Sequence, residues 1–378
     1  MYIYVILITI CMACGLQGWR TLFDNFAVNA AKLNGEHIGV IQSVREIPGL
    51  LTFLVAFVLI IISEHKLSAI TVFCFGIGIG ATGFFPSYYG LLITTFVMSA
   101  GFHIFESVSS SLVLQYFDKK IAPEIFGRIR SVSAASNIGI GVFILGATFI
   151  LNYEQIYIVM GVLIFCIGIW AIKQDPSDKN AIEQNKKLIL KKKYGLFYFL
   201  TFMSGSRRQI FIAFASLLLV KKFGFSVKQI SALFITNNVI NYFLSPIIGK
   251  CISRFGERKV LSLEYFSLIF VFIAYALVDS KILVSILYIL DHIFFNFAIA
   301  IRTYFQKIAD PKDIAPSMSV STTINHIAAV ALPALGGYLW IISYKIPFMG
   351  GAVMSFISLI AVQFIPSFNT SNTIENKS

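Results

Sequence analysis

Charge is scarce in this chain. Only 13% of its 378 residues are Asp, Glu, Lys or Arg, about half of what a soluble domain carries. Apart from a central linker and the tail, no stretch is polar enough to form a soluble domain. Cysteine is scarce too, and five residues without a paired framework exclude a disulfide scaffold. Gly76-x-Gly78-x-Gly80 has no strand pattern before it and no Lys after it, so it is no phosphate-cradling loop and reads as small residues that let helices approach closely; direct ATP drive is not expected. Met1–Ile10 has no basic leader, so no cleaved signal peptide is expected. What the chain has instead is 57% hydrophobic residues and a mean hydropathy of +0.81. The expected class is an all-α membrane protein.

A helix crossing the hydrocarbon core needs about 20 mostly apolar residues. Apolar runs between charged or turn-rich breaks predict twelve transmembrane helices, near 3–29, 37–62, 67–84, 89–117, 129–150, 154–172, 194–219, 227–249, 259–278, 282–305, 317–342 and 346–366. Lys and Arg set the orientation, because they accumulate in cytoplasmic loops. With the N-terminus inside, 19 basic residues fall in inward loops and the tail, among them Lys119, Lys120, Arg128 and Arg130, against 6 in outward loops. Both termini are therefore expected in the cytoplasm, with the chain multi-pass in the inner membrane. The net charge of +12 is a topology signal, and nucleic-acid binding is a poor reading of it.

The longest polar stretch, 173–193, holds seven lysines and follows the sixth span. It divides the chain into predicted six-helix bundles at 1–172 and 194–366, with a tail at 367–378. The two sets repeat one pattern. Gly18-x-Arg20 answers to Gly205-x-Arg207, Ser131-Val-Ser133-x-x-x-Asn137 to Ser319-Val-Ser321-x-x-x-Asn325, and His103-Ile-Phe105 to His292-Ile-Phe294. The offsets are 187, 188 and 189 residues, about half the chain. Six spans per repeat make the repeats parallel, related by an axis along the membrane normal.

Between spans eight and nine stands Gly249-Lys-Cys-Ile-Ser253-Arg254-Phe255-Gly256-Glu257-Arg258-Lys259. It resembles the loop signature Gly-x-x-x-Asp-Arg-x-Gly-Arg-Arg of the major facilitator superfamily, with Ser253 where that family has Asp. Pro333-Ala-Leu-Gly336-Gly337 is similar to the family's Pro-x-x-Gly-Gly antiporter motif, though in span eleven rather than five. The resemblance implies a gating role for Gly249, Arg254, Gly256, Arg258 and Lys259, and a central cavity lined by spans one, four, seven and ten. It names no substrate.

Ten charged residues fall within spans: Arg20, Arg45, Arg207, Arg208 and Arg302, and Asp24, Glu46, Glu106, Glu264 and Asp291. At roughly 2.5–3.5 kcal/mol for each one facing lipid at a helix centre, most must point into the bundle; Arg302 and Glu264, near span ends, are read as able to snorkel. With His103, His292 and His326 they make thirteen candidates, nine of them on spans one, four, seven and ten. At 1.5 Å per residue, Arg207, His103 and Asp291 converge about 14–21 Å from the span ends.

Candidate substrate contacts are therefore Arg20, His103, Glu106, Arg207, Arg208, Asn237, Asn241, Asp291, His292 and Asn325. Asp291 with His292, and Glu106 with His103, are candidate proton-coupling groups, because carboxylates beside imidazoles exchange protons at physiological pH; each pair also reads as a fixed hydrogen bond. Arg20, Asp24, Arg45 and Glu46 read as structural ion pairs between the first two helices. Cys11-x-x-Cys14, inside an apolar helix with no second pair, reads as packing.

The leading expectation is a secondary transporter working by alternating access, coupled to protons, for a small organic solute that Arg207 and Arg208 suggest is anionic or zwitterionic. An amphipath exporter of the same fold, a membrane enzyme using the His, Glu and Asp groups, and a non-transporting receptor are the alternatives. The enzyme reading lacks close metal-ligand spacing. No metal or other cofactor is expected, and the partners are the solute, protons and the bilayer around a monomer.

Overall fold

A computed structural model describes residues 1–33, 35–176, 184–185, 187–225 and 227–366. The tail and most of the linker lie outside the described residues, as do the side chains of Asp24, Lys228 and Pro333. Among the described residues all regular structure is helical. The N-terminal half comprises α1 (Tyr2–Asn29), α2 (Gly35–Leu50), α3 (Val55–Val58), α4 (Glu64–Phe84), α5 (Tyr88–Tyr116), α6 (Ala122–Ala147) and α7 (Tyr153–Ile172). The C-terminal half comprises α8 (Gly195–Ile210), α9 (Ser216–Lys221), α10 (Val227–Phe255), α11 (Glu257–Leu277), α12 (Lys281–Phe294), α13 (Ile299–Ile308), α14 (Ile314–Ile342) and α15 (Lys345–Val362). Ten stretches among the described residues are long and apolar enough to cross a membrane. Two further long helical stretches, α8 running on to α9 and α14, pack among them.

Helix α6 corrects the span expected at 129–150. It begins seven residues earlier, with Pro123 in its first turn, where a missing N–H costs nothing. Arg128 and Arg130 thus lie within a helix and not in a loop. Three rods are broken near mid-length. Pro48 lies inside α2, which passes through the 3₁₀ turn Leu51–Leu54 into α3. A π turn at Phe211–Ala215 joins α8 to α9, and a 3₁₀ turn at Phe295–Ala298 joins α12 to α13. Proline explains the first break. The other two directly follow Arg207-Arg208 and Asp291-His292, the kind of position where such turns accompany function.

Helix pairing repeats between the halves. The α1–α6 contact is answered by α8–α14, α4–α7 by α11–α15, and α6–α10 by α14–α2. The repeated Gly-x-Arg lies in this pattern: Gly18 packs on Ile140 of α6, and Gly205 on Asn325 of α14. Without a hydrophobic drive inside lipid, helices associate by close packing of small residues. Gly76 and Gly80 meet the backbone of α7 at Gly161 and Phe165, while a Cβ on Gly78 would sit 2.5 Å from the amide nitrogen of Met98. The three glycines therefore serve helix approach, as their spacing suggests.

The apolar core is asymmetric along the bundle axis. One continuous cluster runs through the N-terminal half from Ile8 to Phe26 and, at the end bearing the N-terminus, takes in Phe197, Ile252 and Phe305 of the other half. At the opposite end the C-terminal half has its own separate cluster, around Phe214, Phe272, Tyr275 and Phe348. The halves are thus fused at one end and parted at the other.

Candidate functional site

Several ties hold the fused end. Gly127 lies against the backbone of Ser245 and Pro246, and Gly249 against that of Pro123 and Glu124. Gln306 Nε2 donates to the carbonyls of Leu114 at 2.7 Å and Phe117 at 2.8 Å. Ser253 Oγ, at the position that departs from the family signature, donates to the Lys120 carbonyl at 2.9 Å. The turn itself needs Gly256, whose φ of +82° is strained for any side chain. Next to it, buried Glu257 meets Lys307 at 2.7 Å, and Arg258 reaches Gln363. Arg254 stacks on Phe255, and Lys259 is exposed.

A second tie fastens the linker. The buried carboxylate of Asp313 accepts hydrogen bonds from Asn185 Nδ2, Lys191 Nζ and Tyr194 Oη, each at 2.6 Å. Burial pushes its carboxyl up, but the three donors outweigh that and hold it below the usual aspartate range.

Toward the parted end the contact between halves thins. Asn137 of α6 donates to Asn238 of α10 at 3.1 Å. Further along α6, nothing lies within 4 Å of a Cβ built on Gly139, Gly141 or Gly146. Between these levels lies a cleft lined by Glu106, Arg130, Arg208, Arg302, Asn325 and His326 among others. Arg302 sits 3.6 Å from Glu106 and donates to Ser110 Oγ at 3.0 Å. Arg208 donates to Asn325 Oδ1 at 3.3 Å, while its buried Nε has no hydrogen-bond partner. Arg20 and Arg130 are solvent-exposed despite lying well inside α1 and α6. Arg20 is within electrostatic reach of Arg45, Glu46 and Arg208. Three guanidiniums (Arg130, Arg208, Arg302) thus line the cleft against one carboxylate, Glu106.

Next to the cleft, a smaller chamber is lined by Arg207, Glu264 and Asp291, and shares Ser204 and Phe295 with it. Arg207 is 3.8 Å from Glu264, lies over the Tyr265 ring at 4.4 Å and donates to Ser358. Asp291 is 1% exposed, and neither carboxylate oxygen has a hydrogen-bond partner. Two acids here face one guanidinium.

The structure separates residues that adjoin in sequence. Asp291 turns into the chamber, whereas His292 Nε2 bonds Asn241 at 2.8 Å, and Asn241 also accepts from Asn296 at 2.6 Å. Asn237 is buried, with its carbonyl oxygen lacking a partner. His103 packs edge-on to His326, ring centroids 4.3 Å apart, while Glu106, one turn on, joins Arg302. Glu46 is bound by Arg45 on its own helix at 2.8 Å and faces His326 of α14 at 3.5 Å. The Arg45–Glu46 pair therefore lies within α2, and Arg20 is exposed. Arg130 and Arg302 were missed as site residues. A longer α6, marked in the sequence by Pro123, is the signal that would have brought Arg130 in.

Residues 197–378 match the sequence model of the Major Facilitator Superfamily. No curated protein matches the chain in sequence. In structure it is similar to FucP, the E. coli fucose:proton symporter, in the outward conformation, with 13% identity, a TM-score of 0.79 and coverage of 97% of this chain and 98% of that one. It is similar as well to the human organic anion transporter MFSD10 (TETRAN), with 10% identity, a TM-score of 0.77 and coverage of 96% and 98%. A bacterial homologue of the iron transporter ferroportin, in its outward-facing state, matches with 13% identity, a TM-score of 0.77 and the same coverage.

Proposed function

We propose that this chain, a Major Facilitator Superfamily protein by the sequence of residues 197–378 and by the fold of the whole, is a secondary transporter of a small organic anion, coupled to protons. The observation that carries the anion is the cleft, which three arginines line against one glutamate. Arginine presents a planar fork of donors suited to carboxylate or phosphate, and the unpartnered Nε of Arg208 is a donor still to be satisfied. Arg208, Arg302 and Arg130 are the proposed contacts to the anion, with Asn325 orienting Arg208 and Glu106 orienting Arg302.

Asp291 is the proposed proton carrier. With Arg207 between Asp291 and Glu264, the chamber holds one negative charge too many, and a single proton makes it neutral. Ser204 and Phe295, shared with the cleft, would relay solute arrival to it. The remaining reading follows the basic residues and the repeat: twelve spans in two parallel six-helix bundles, at 1–172 and 194–366, both termini cytoplasmic in the inner membrane, acting as a monomer. In that orientation the fused end is cytoplasmic and the cleft opens outward, with the Gly249–Lys259 loop as part of the inner gate.

The test is transport by the purified protein in liposomes, with lumenal pH followed while small mono- and dicarboxylates and organophosphates are screened. Wild type is expected to move protons with an anion, and Asp291→Asn to lose proton movement. Transport of cationic or neutral amphipaths alone would overturn the anion reading. Proton movement undiminished in Asp291→Asn would remove that residue from coupling.

A further inference from the structure

One cluster takes no part in the reading above. Glu46 on α2, His103 on α5 and His326 on α14 each bring one ligating atom into a group whose members all lie within 4.8 Å of one another. Two come from the N-terminal half and one from the C-terminal half. His103 is 5% exposed and His326 4% exposed, and the Nδ1 atom of each is buried without a hydrogen-bond partner. A buried imidazole nitrogen without a partner is costly unless something else meets it.

We infer that these three residues form a binding site for a borderline-soft divalent metal ion of the zinc or nickel class, which clasps the two halves together. Imidazole and carboxylate are the donors such ions take. Metal–ligand bonds of about 2.0–2.1 Å in a tetrahedron set ligand atoms about 3.4 Å apart, and Glu46 Oε2 and His326 Nδ1 stand 3.5 Å apart. Rotation of the His103 ring would bring its nitrogen, now within 4.8 Å of both, to the same spacing. His326 lines the cleft and Glu46 is half-buried, so water or a solute group can complete the shell.

Neighbours orient the ligands. Arg45 donates from Nε and Nη2 to Oε1 of Glu46 and leaves Oε2 toward His326, a second shell of the kind that fixes metal-bound carboxylates. Gly49 lies flat against the His326 imidazole, its place for a Cβ only 2.6 Å from that ring, so the ring has one position. The Arg45 charge weakens a cation here, which suits a reversible regulatory site better than a permanent structural one. Because the ligands span both halves, occupancy favours the state in which they are brought together, and metal slows the transport cycle.

The experiment uses the purified full chain in detergent, with zinc or nickel chloride as the probe. Calorimetric titration should show one ion per chain, and thermal melting should rise with metal. Magnesium should do neither, having no preference for imidazole. Glu46→Gln, His103→Ala and His326→Ala should each weaken zinc binding at least tenfold and abolish the melting shift. Melting without metal shows which variants fold, and His103→Gln and His326→Gln replace any that do not. No saturable zinc binding by wild type, or unchanged binding in the folded histidine variants, overturns the site. Neither readout depends on transport, so failure here is distinct from failure of the transport proposal.

Discussion

Arg302 shows how one side chain is shaped by its place. It reaches Glu106 at 3.6 Å and Ser110 at 3.0 Å, which fixes the guanidinium yet leaves donors for a solute. Losing a charge-assisted hydrogen bond costs about 1.5–3 kcal/mol, so Arg302→Gln and Arg208→Gln should each raise the KM for an anion about 10- to 100-fold. Initial rates of uptake into liposomes measure this, and unchanged values in both would place the anion elsewhere. The residue scale is also where sequence was least legible. Asp291 and His292 look like one acid–imidazole pair on paper, but adjacent helical residues point about 100° apart. Asp291 shares the chamber with Arg207 without bonding it, and His292 bonds Asn241 on another helix. Periodicity says which face a residue is on, and it does not say which distant side chain waits there.

Among elements, the seams made by glycine and the flank left empty by glycine behave differently. At Gly161 an added side chain meets the backbone of Gly80, which cannot step aside, and overpacking costs typically about 1–3 kcal/mol. Gly161→Val should therefore lower the melting temperature in detergent. Gly141, with nothing within 4 Å, should accept Leu with no loss of melting temperature. If that flank is where the parted end closes, Gly141→Leu stops turnover while solute binding persists, and equilibrium binding set beside uptake separates the two.

Helix positions were legible because apolar runs between charged turns mark them, and the Gly76–Gly80 spacing was read correctly as a packing device. Arg130 was placed in a loop because Arg128 and Arg130 interrupt the apolar run, although Ala122, Ile125 and Phe126 before them are buried in the first turns of α6. The breaks at Phe211–Ala215 and Phe295–Ala298 carry no proline or glycine, so nothing local announces them.

In the whole molecule, the linker tie at Asp313 separates mechanism from architecture. Asp313 is held below its ordinary value of 3.8, while hydrogen bonding to Asp313 raises exposed Lys191 above 10.5. Stability from a depressed acid is lost only as pH falls through its folded value, and stability from a raised lysine only as pH rises through its own. The tie is thus complete between those limits. Asp313→Asn should lower the melting temperature by a similar amount at pH 5.5 and pH 8.5. A difference that grows across that window would show that the tie titrates. Any pH dependence of transport in this range then belongs to groups deeper in the bundle.

The imbalance of guanidiniums over carboxylates along the cleft also has an electrical side. Three against one leaves a surplus of two positive charges, and a charge crossing the whole bilayer exchanges about 2.3 kcal/mol per 100 mV of membrane voltage. In the proposed cycle, as the cleft turns from one face to the other, the voltage drop shifts across these residues even though they barely move. The empty carrier should therefore give transient charge movements in capacitance recordings on planar bilayers. A bound polyvalent anion should shrink them toward nothing, so that the resting potential of the cell governs the return stroke far more than the loaded one.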